Sequence, residues 1–376
     1  MKYKKIMLII TESCNLRCVY CYEQEKRPST MNFNTAKKIL DYSFSQMDGY
    51  DGMTIELHGG EPFLNFSLIK KIDAYVMERY SIWPVLFRTT TNGTLVHGEI
   101  QDWLKERRER YQVMLSLDGK QPEHDANRRD LNGRGSFSSI DLDFFLETWK
   151  FCPVSMTVNE RTLPWLASGT IWMQEKGFKS LNAFQWAVSW DLKKNRPILA
   201  KQLELLVDYY SQQPNKHMSL LVNYQLSHFF LPIDGNYRYC VDIDDPLECY
   251  DAEGRYAPCH GFTAFTTGSE ETARDFSDKT IHDFVFEERN ICCECRLVRL
   301  CRICFAANHM MTGDMQKQSE EICVFNRMCI EASIRIQRNR IQAKAEPNQT
   351  DLEDLRAADA VEQYLKEKWQ DESLEF

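Results

Sequence analysis

The chain lacks a long apolar run. No stretch approaches the eighteen or so consecutive apolar residues of a membrane-spanning helix, so no membrane span is expected. It also lacks an excess of basic residues. The formal net charge is −9, which argues against a broad nucleic-acid-binding face, because phosphate binding draws on clustered lysine and arginine. A secretory signal is missing too. Basic residues precede the apolar run Ile6–Ile10, but that run gives way to Thr11-Glu12-Ser13 with no small-residue cleavage site. The run reads as a buried strand, and the chain is expected to be cytoplasmic. Internal repeats and low-complexity tracts are absent.

What remains is an ordinary globular composition, 43% hydrophobic and 27% charged over 376 residues, enough for two domains. The unusual feature is fourteen cysteines. In a reducing cytoplasm, dense cysteines hold metals or clusters more often than disulfides. Three lie in the first 21 residues, one is Cys152, and ten fall between Cys240 and Cys329.

Residues 1–220 alternate short strands with longer helices. The strands are Lys5–Thr11, Thr54–Leu57, Val85–Thr90, Gln112–Leu117, Val154–Val158 and Leu181–Trp186. The helices are Asn34–Gln46, Phe66–Tyr80, Gly98–Arg110, Ser138–Lys150 and Leu163–Lys176. Such alternation implies an α/β fold with a parallel sheet or barrel, whose active site sits at the C-terminal ends of the strands. Residues 221–235 read as a bridging segment that continues a helical stretch from about 200. Residues 236–330 form a cysteine-rich module with little periodicity, for which metal is the expected organiser. Residues 331–376 read as a tail with an acidic helix. Thr350 and Glu353 make a capping-box pattern there, and Leu352, Leu355, Val361, Leu365 and Trp369 fall near one face.

Cys14-Asn-Leu-Arg-Cys18-Val-Tyr-Cys21 has the form C-x3-C-x2-C and directly follows the first strand. Cysteine is the usual ligand of iron–sulfur iron, and three thiolates this close suit a [4Fe–4S] cube. Three ligands for four irons leave one position open, as catalytic metal sites do. Three structural cysteines, or a zinc site lacking its fourth ligand, are the competing readings. The whole stretch Cys14–Glu23 resembles the radical S-adenosylmethionine (SAM) superfamily. That resemblance implies that SAM chelates the open iron and is cleaved by an electron from the cluster. The 5′-deoxyadenosyl radical so formed then takes a hydrogen atom from the substrate. It also implies a flavodoxin- or ferredoxin-type electron donor.

His58-Gly-Gly-Glu-Pro62 follows the second strand and resembles the family's GGEP motif. This implies that Gly59, Gly60, Glu61 and Pro62 meet the SAM amino group. Glycine lets a main chain approach a ligand, and Glu61 supplies negative charge; a plain turn is the competing reading. Thr89-Thr-Thr-Asn92-Gly93 and Ser116-Leu-Asp118-Gly119 end the third and fourth strands. They resemble family positions lining the SAM pocket, which makes Asn92, Ser116 and Asp118 candidates. His124-Asp125-x2-Arg128, followed by Gly133-x-Gly135-Ser136, resembles the subset that modifies peptides and proteins. Arg128 is the candidate partner of the SAM carboxylate, since the guanidinium fork matches carboxylates; a solvated surface arginine is the bland alternative.

The C-terminal module resembles the SPASM domain, which holds two auxiliary [4Fe–4S] clusters. Thirteen residues separate Cys240 from Gly254, and four separate Gly254 from Cys259. Cys292-x2-Cys295-x5-Cys301-x2-Cys304 and Cys323 follow, with Cys301–Cys304 one residue shorter than the family spacing. By position, the resemblance assigns Cys240, Cys259 and Cys304 to the nearer cluster and Cys292, Cys295, Cys301 and Cys323 to the farther one. Cys249 either completes the nearer cluster or leaves its iron open. Cys152, Cys293 and Cys329 fit nothing and read as buried, unligated thiols. Zinc is the alternative metal for the module.

The fold so implied is a partial (β/α)6 TIM-type barrel, then a small cysteine-rich iron–sulfur domain and a C-terminal helix. The expected function is a maturase that abstracts hydrogen from a peptide or protein substrate, forming a thioether or carbon–carbon cross-link in a ribosomally made peptide. Cys14 leaves no room before the first strand for an extra peptide-binding domain, so a separate leader-recognition protein or the barrel surface is expected to hold a leader. An anaerobic sulfatase-maturing, formylglycine-generating enzyme is the alternative. In that family an acidic base follows the Gly-x4-Cys cysteine; here His260 follows Cys259, as a base or as a group tuning the cluster. An alternative of another class is a non-enzymatic iron–sulfur or zinc scaffold or electron carrier.

Overall fold

The computed structural model describes residues 1–23, 26–185, 187–232, 247–280, 283–284 and 291–369. In chain order the elements run β1 (Tyr3–Thr11), α1 (Phe33–Ser45), β2 (Gly52–Gly59), α2 (Phe66–Arg79), β3 (Val85–Thr91), α3 (Glu99–Arg107) and β4 (Tyr111–Ser116). Next come α4 (Gln121–Asn127), α5 (Leu142–Thr148), β5 (Pro153–Val158), α6 (Leu166–Lys176), β6 (Lys179–Phe184) and α7 (Leu192–Gln212). The chain continues with β7 (Leu247–Tyr250), β8 (Tyr256–Ala257), α8 (Ala264–Thr267), α9 (Glu270–Asp275), α10 (Ile291–Glu294), α11 (Phe305–Thr312), α12 (Glu320–Gln342) and α13 (Gln349–Lys368). Two compact units interleave along it: Met1–Ser155 with Val241–Phe284, and Met156–Cys240 with Val285–Phe376. These units and the contiguous segments drawn from composition are different divisions of the chain.

The first unit is built on a mostly parallel sheet in the order β5-β4-β3-β2-β1-β7-β8, with β8 alone antiparallel, to β7. Ile6, Leu8, Ile9 and Ile10 of β1 are all fully buried. A near-continuous apolar strand is what a parallel sheet covered on both faces requires. One cover is α1, which turns Ala36, Ile39, Leu40 and Phe44 inward and starts at Asn32, whose side chain accepts the Thr35 N–H. The strand β7 was not expected. It pairs with β1 from Lys5↔Leu247 to Leu8↔Tyr250, and Lys4 Nζ lies 2.8 Å from Glu248 Oε1. Four residues in a cysteine-rich stretch are too few to show a period. The helix expected over Ser138–Lys150 contracts to α5, and α4 was unforeseen.

The second unit centres on α12, 23 residues long, which passes straight through residue 330. Ser319 caps it by accepting the Ile322 N–H at 3.2 Å. Arg335 pairs with Glu204 of α7, and Arg338 with Asp359 and Glu362 of α13 at 2.8 Å each. The capping box of α13 is Asn348 with Asp351, not Thr350 with Glu353. The helix starts directly after Asn348, so the reciprocal pair falls two residues earlier than expected. Leu352 is 43% exposed, whereas Val361 and Leu365 are buried with Ala357 and Ala358. Among the described residues no helix is long and apolar enough to cross a membrane.

Candidate active site

The loop after β1 carries Cys14, Cys18 and Cys21, and backbone bonds fix it from two sides. Gly60 and Glu61 donate their N–H groups to Thr11 O (3.0 Å) and Ser13 O (2.9 Å). Arg17 and Val19 donate to Arg129 O (2.7 Å) and Asn127 O (2.9 Å). The two glycines make this contact possible. A Cβ at Gly59, whose φ is +152°, would lie 2.1 Å from Thr11 O, and one at Gly60 would lie 2.5 Å from Ser13 O. The close approach that Gly-Gly permits here is therefore to the cysteine loop itself.

Glu61 is buried and ties the ends of β2 and β3 together. Its carboxylate accepts from Thr91 Oγ1 (2.8 Å), Asn92 N (2.8 Å) and Phe63 N (3.2 Å). Burial pushes its pKa up to about 7 against these three bonds. Pro62 opens the short 3-10 turn Pro62–Asn65. Asn92 donates Nδ2–H to Asn15 Oδ1 at 2.9 Å, and that nitrogen lies 4.0 Å from Cys14 Sγ.

Cys14, Cys18 and Cys21 are all free and partly exposed. Burial raises the Cys14 thiol pKa. Burial, with Cys21, Asp118 and Cys14 adding to it against Arg128, pushes Cys18 up to about 11. Thiols that oppose one another's ionisation make a pocket suited to positive charge, and thiolate is iron–sulfur iron's usual ligand. Among the described residues no three His, Cys, Asp or Glu side chains are arranged around a single metal ion. Three thiols in one short loop are the donor set that iron–sulfur iron takes, so the residues present fit a cluster.

Beside the triad lies a buried charged group. Asp118 is fully buried and accepts from Tyr20 Oη (2.5 Å), Asn127 Nδ2 (3.1 Å) and Arg128 Nη2 (3.1 Å). The Arg128 guanidinium also lies 5.3 Å from the Tyr20 ring centroid. Burial works against the Arg128 charge, yet Asp118, with Tyr20 and Cys18, holds its pKa above the usual arginine range. Its Nε is buried with no hydrogen-bond partner in the protein. An orphaned donor of that kind is what an anionic ligand group would satisfy, so the site fits SAM. The segment after α4 braces this arginine. His124 Nε2 lies 3.0 Å from Ser136 Oγ, Ser136 Oγ donates to Arg128 O (2.9 Å), and Asp125 accepts the Phe137 N–H (2.9 Å). Arg128 is thus buried and not a solvated surface residue. Ser116 is buried, opposite Ser155 of β5. Tyr20 and His124 were not among the sequence candidates; their buried positions beside Cys18 and Asp118 appear only in three dimensions.

Cys259 and His260 follow β8 in the same unit. The His260 ring lies 5.2 Å from that of His58 and 5.8 Å from that of Tyr22. Burial lowers the His260 pKa to about 4, and burial with His260 lowers that of His58 to about 3, so both are neutral near pH 7. Cys249 lies in an apolar cluster with Met7, Ile9 and Phe265, and burial raises its thiol pKa strongly. Cys152 and Cys329 are buried, but Cys293 is partly exposed, contrary to expectation, in the short helix α10.

In the second unit Cys292, Cys295, Cys301 and Cys323 lie within electrostatic range of one another. Burial raises the Cys301 pKa strongly, and Cys295, Cys323 and Cys292 add to it. Cys304 precedes α11 in this unit, whereas Cys259 belongs to the first. Cys240 lies outside the described residues.

The family described as a 4Fe-4S single cluster domain matches residues 5–139. An uncharacterized protein of Methanocaldococcus jannaschii is 33% identical over 48% of this chain and 61% of its own length. The cysteine-type anaerobic sulfatase-maturating enzyme of Clostridium novyi is 30% identical over 35% of this chain and 36% of its own. The antilisterial bacteriocin subtilosin biosynthesis protein AlbA of Bacillus subtilis is 30% identical over 41% and 33%. The chain therefore spans only part of the length of these relatives. In fold, it resembles anSMEcpe with bound AdoMet, with a TM-score of 0.70 at 17% identity over 94% of this chain and 98% of that one. It also resembles Streptococcus suis SuiB bound to the precursor peptide SuiA, with a TM-score of 0.56 at 15% identity over 86% and 76%. The matched 4Fe-4S domain thus includes the three-cysteine loop at the end of β1, and the chain is similar, in part of its sequence and in its fold, to radical SAM/SPASM maturases.

Proposed function

We propose that this chain is a radical SAM maturase acting on a peptide or protein, with a thioether or carbon–carbon cross-link in a ribosomally made peptide as its product. The observation that carries the reading is the pairing of two features at one sheet end. Three soft thiols sit in one braced loop, and a buried arginine with an orphaned Nε stands beside Cys18. Bound there, a [4Fe–4S] cluster would supply the electron that cleaves SAM and generates the hydrogen-abstracting radical.

The chain's own residues would do the rest. Cys14, Cys18 and Cys21 would hold three irons and leave one for SAM. Gly59 and Gly60 let the cysteine loop lie against β2, Glu61 ties β2 to β3, and Asn92 stands at Cys14. Asp118 and Tyr20 fix Arg128 for the SAM carboxylate, within the pocket that Ser116 helps to line. His260, beside His58 and Tyr22, is the candidate proton acceptor. In the second unit Cys292, Cys295, Cys301 and Cys323 would hold one auxiliary cluster. Cys240, Cys259 and Cys304 are the proposed ligands of another. A peptide substrate is supported by the bacteriocin biosynthesis relative and by the SuiB structure with its precursor peptide. We expect a flavodoxin- or ferredoxin-type electron donor and, for a leader-bearing substrate, a separate recognition protein.

The test is anaerobic incubation of the reconstituted enzyme with SAM, a reductant and peptides from adjacent reading frames, followed by mass spectrometry. A peptide that loses two hydrogens and gains a cross-link supports the reading. Conversion of a sulfatase-motif cysteine to formylglycine, with no cross-link in any peptide, would replace it.

A further inference from the structure

We propose that the C-terminal helix forms part of an auxiliary cluster site: Tyr364, Lys368 and Trp369, together with Arg327, make a cationic brace on the Cys292–Cys295–Cys301–Cys323 group that raises the reduction potential of its cluster. The proposal rests on the reading of those four cysteines as cluster ligands. A tail helix packed only for stability would need apolar contacts alone, and Ala357, Ala358, Val361 and Leu365 of α13 provide them. The last turn does something different.

Tyr364 Oη accepts the N–H of Arg296, the residue next to Cys295, at 3.1 Å. That bond ties α13 to the cysteine loop. At the C-terminal cap, the indole of Trp369 lies 4.5 Å from the Arg327 guanidinium and 5.4 Å from Lys368 Nζ. Lys368 Nζ also lies 5.6 Å from the Tyr364 ring, and the Tyr364 and Trp369 rings are 6.0 Å apart, edge to face. Two cations therefore share two aromatic rings.

Arg327 stands one helical turn after Cys323 on α12, so the two side chains share a face. It is only 3% exposed, which is rare for arginine and puts its permanent charge in a low-dielectric setting. Lys368 stands one helical turn after Tyr364 on α13, on the face that Tyr364 ties to the cysteine loop. A cluster held by four thiolates is anionic, and reduction adds a further negative charge. Fixed positive charge beside it stabilises the reduced form more than the oxidised form, which raises the potential.

The experiment is an EPR-monitored redox titration of the full chain carrying Cys14→Ala, Cys18→Ala and Cys21→Ala, which silences the N-terminal cluster. A further Cys301→Ala change identifies the signal that belongs to this site. Arg327→Met is expected to lower its midpoint, cutting the reduced-to-oxidised ratio at fixed potential at least threefold, or about 28 mV at 59 mV per tenfold. Lys368→Met should shift it the same way, and Arg327→Lys should largely preserve it. Unchanged midpoints in both methionine variants with iron retained would overturn the proposal. If Arg327→Met loses the cluster, Lys368→Met decides alone. If Cys301→Ala removes neither iron nor signal, the cluster assignment has failed, and the brace falls with it.

Discussion

Alanine at Gly60 places one methyl group against the cysteine loop. Its Cβ would lie 2.5 Å from Ser13 O, 2.8 Å from Ser13 C and 3.0 Å from Cys14 Cβ. Ordinary contact begins near 3.4 Å, so the loop must retreat by roughly 0.9 Å. Two of these neighbours are backbone atoms, which cannot rotate away. The retreat strains the bonds from Gly60 N–H to Thr11 O and from Glu61 N–H to Ser13 O. Overpacking costs about 1–3 kcal/mol, and weakening each bond adds up to about 1 kcal/mol. A total of about 1–5 kcal/mol leaves a domain of ordinary stability folded. Cofactor sites tolerate far less displacement, about 0.5 Å. Gly60→Ala should therefore stay folded by circular dichroism yet hold roughly four fewer irons after reconstitution and form no 5′-deoxyadenosine. Full iron loading with wild-type SAM cleavage in this variant would refute the account of the Gly-Gly pair.

Other consequences are equally direct. Tyr20→Phe removes a donor from the buried Asp118 carboxylate and should cost about 1–3 kcal/mol in urea unfolding of the apoprotein; a loss below about 0.5 kcal/mol would count against the Tyr20–Asp118–Arg128 arrangement. Asp118→Ala strands the buried Arg128 charge and should cost more, about 3–5 kcal/mol. His124 is held neutral by burial, with its pKa lowered to about 4 from 6.5. The unfolded chain therefore takes up a proton that the folded chain refuses, and stability should fall as pH drops from 6.5 towards 4. The fall is at most about 3 kcal/mol from this residue, and His124→Gln should flatten that part of the profile. In the native apoprotein, iodoacetamide should spare Cys152, Cys249 and Cys329 while modifying partly exposed cysteines such as Cys21 and Cys293, as read by peptide mass mapping.

Much of the first unit is legible in the sequence, because β1 is a near-continuous apolar run and short strands alternate with longer periodic helices after it. The loop after β1 is legible for a different reason: C-x3-C-x2-C is a chemical pattern that needs no periodicity. What stays hidden is whatever depends on distant partners. β7 is four residues long and acquires its identity from pairing with β1. Gly59 and Gly60 read as freedom to approach a ligand, but the contact they permit is with Thr11 and Ser13. Arg128 is identifiable as a candidate, whereas the Tyr20 hydroxyl that helps to hold it through Asp118 lies 98 residues from that carboxylate in the chain. The capping box of α13 is displaced by two residues because two overlapping patterns, Asn348/Asp351 and Thr350/Glu353, compete at one helix start.

The most direct test of the central claim is 5′-deoxyadenosine formation by the anaerobically reconstituted protein given SAM and a strong reductant. The control is the Cys14→Ala, Cys18→Ala, Cys21→Ala variant, with iron counted in both. The account predicts SAM cleavage by the wild type alone, with roughly four irons lost from the variant. Stoichiometric zinc in place of iron, or no cleavage of SAM under any reductant, would contradict it.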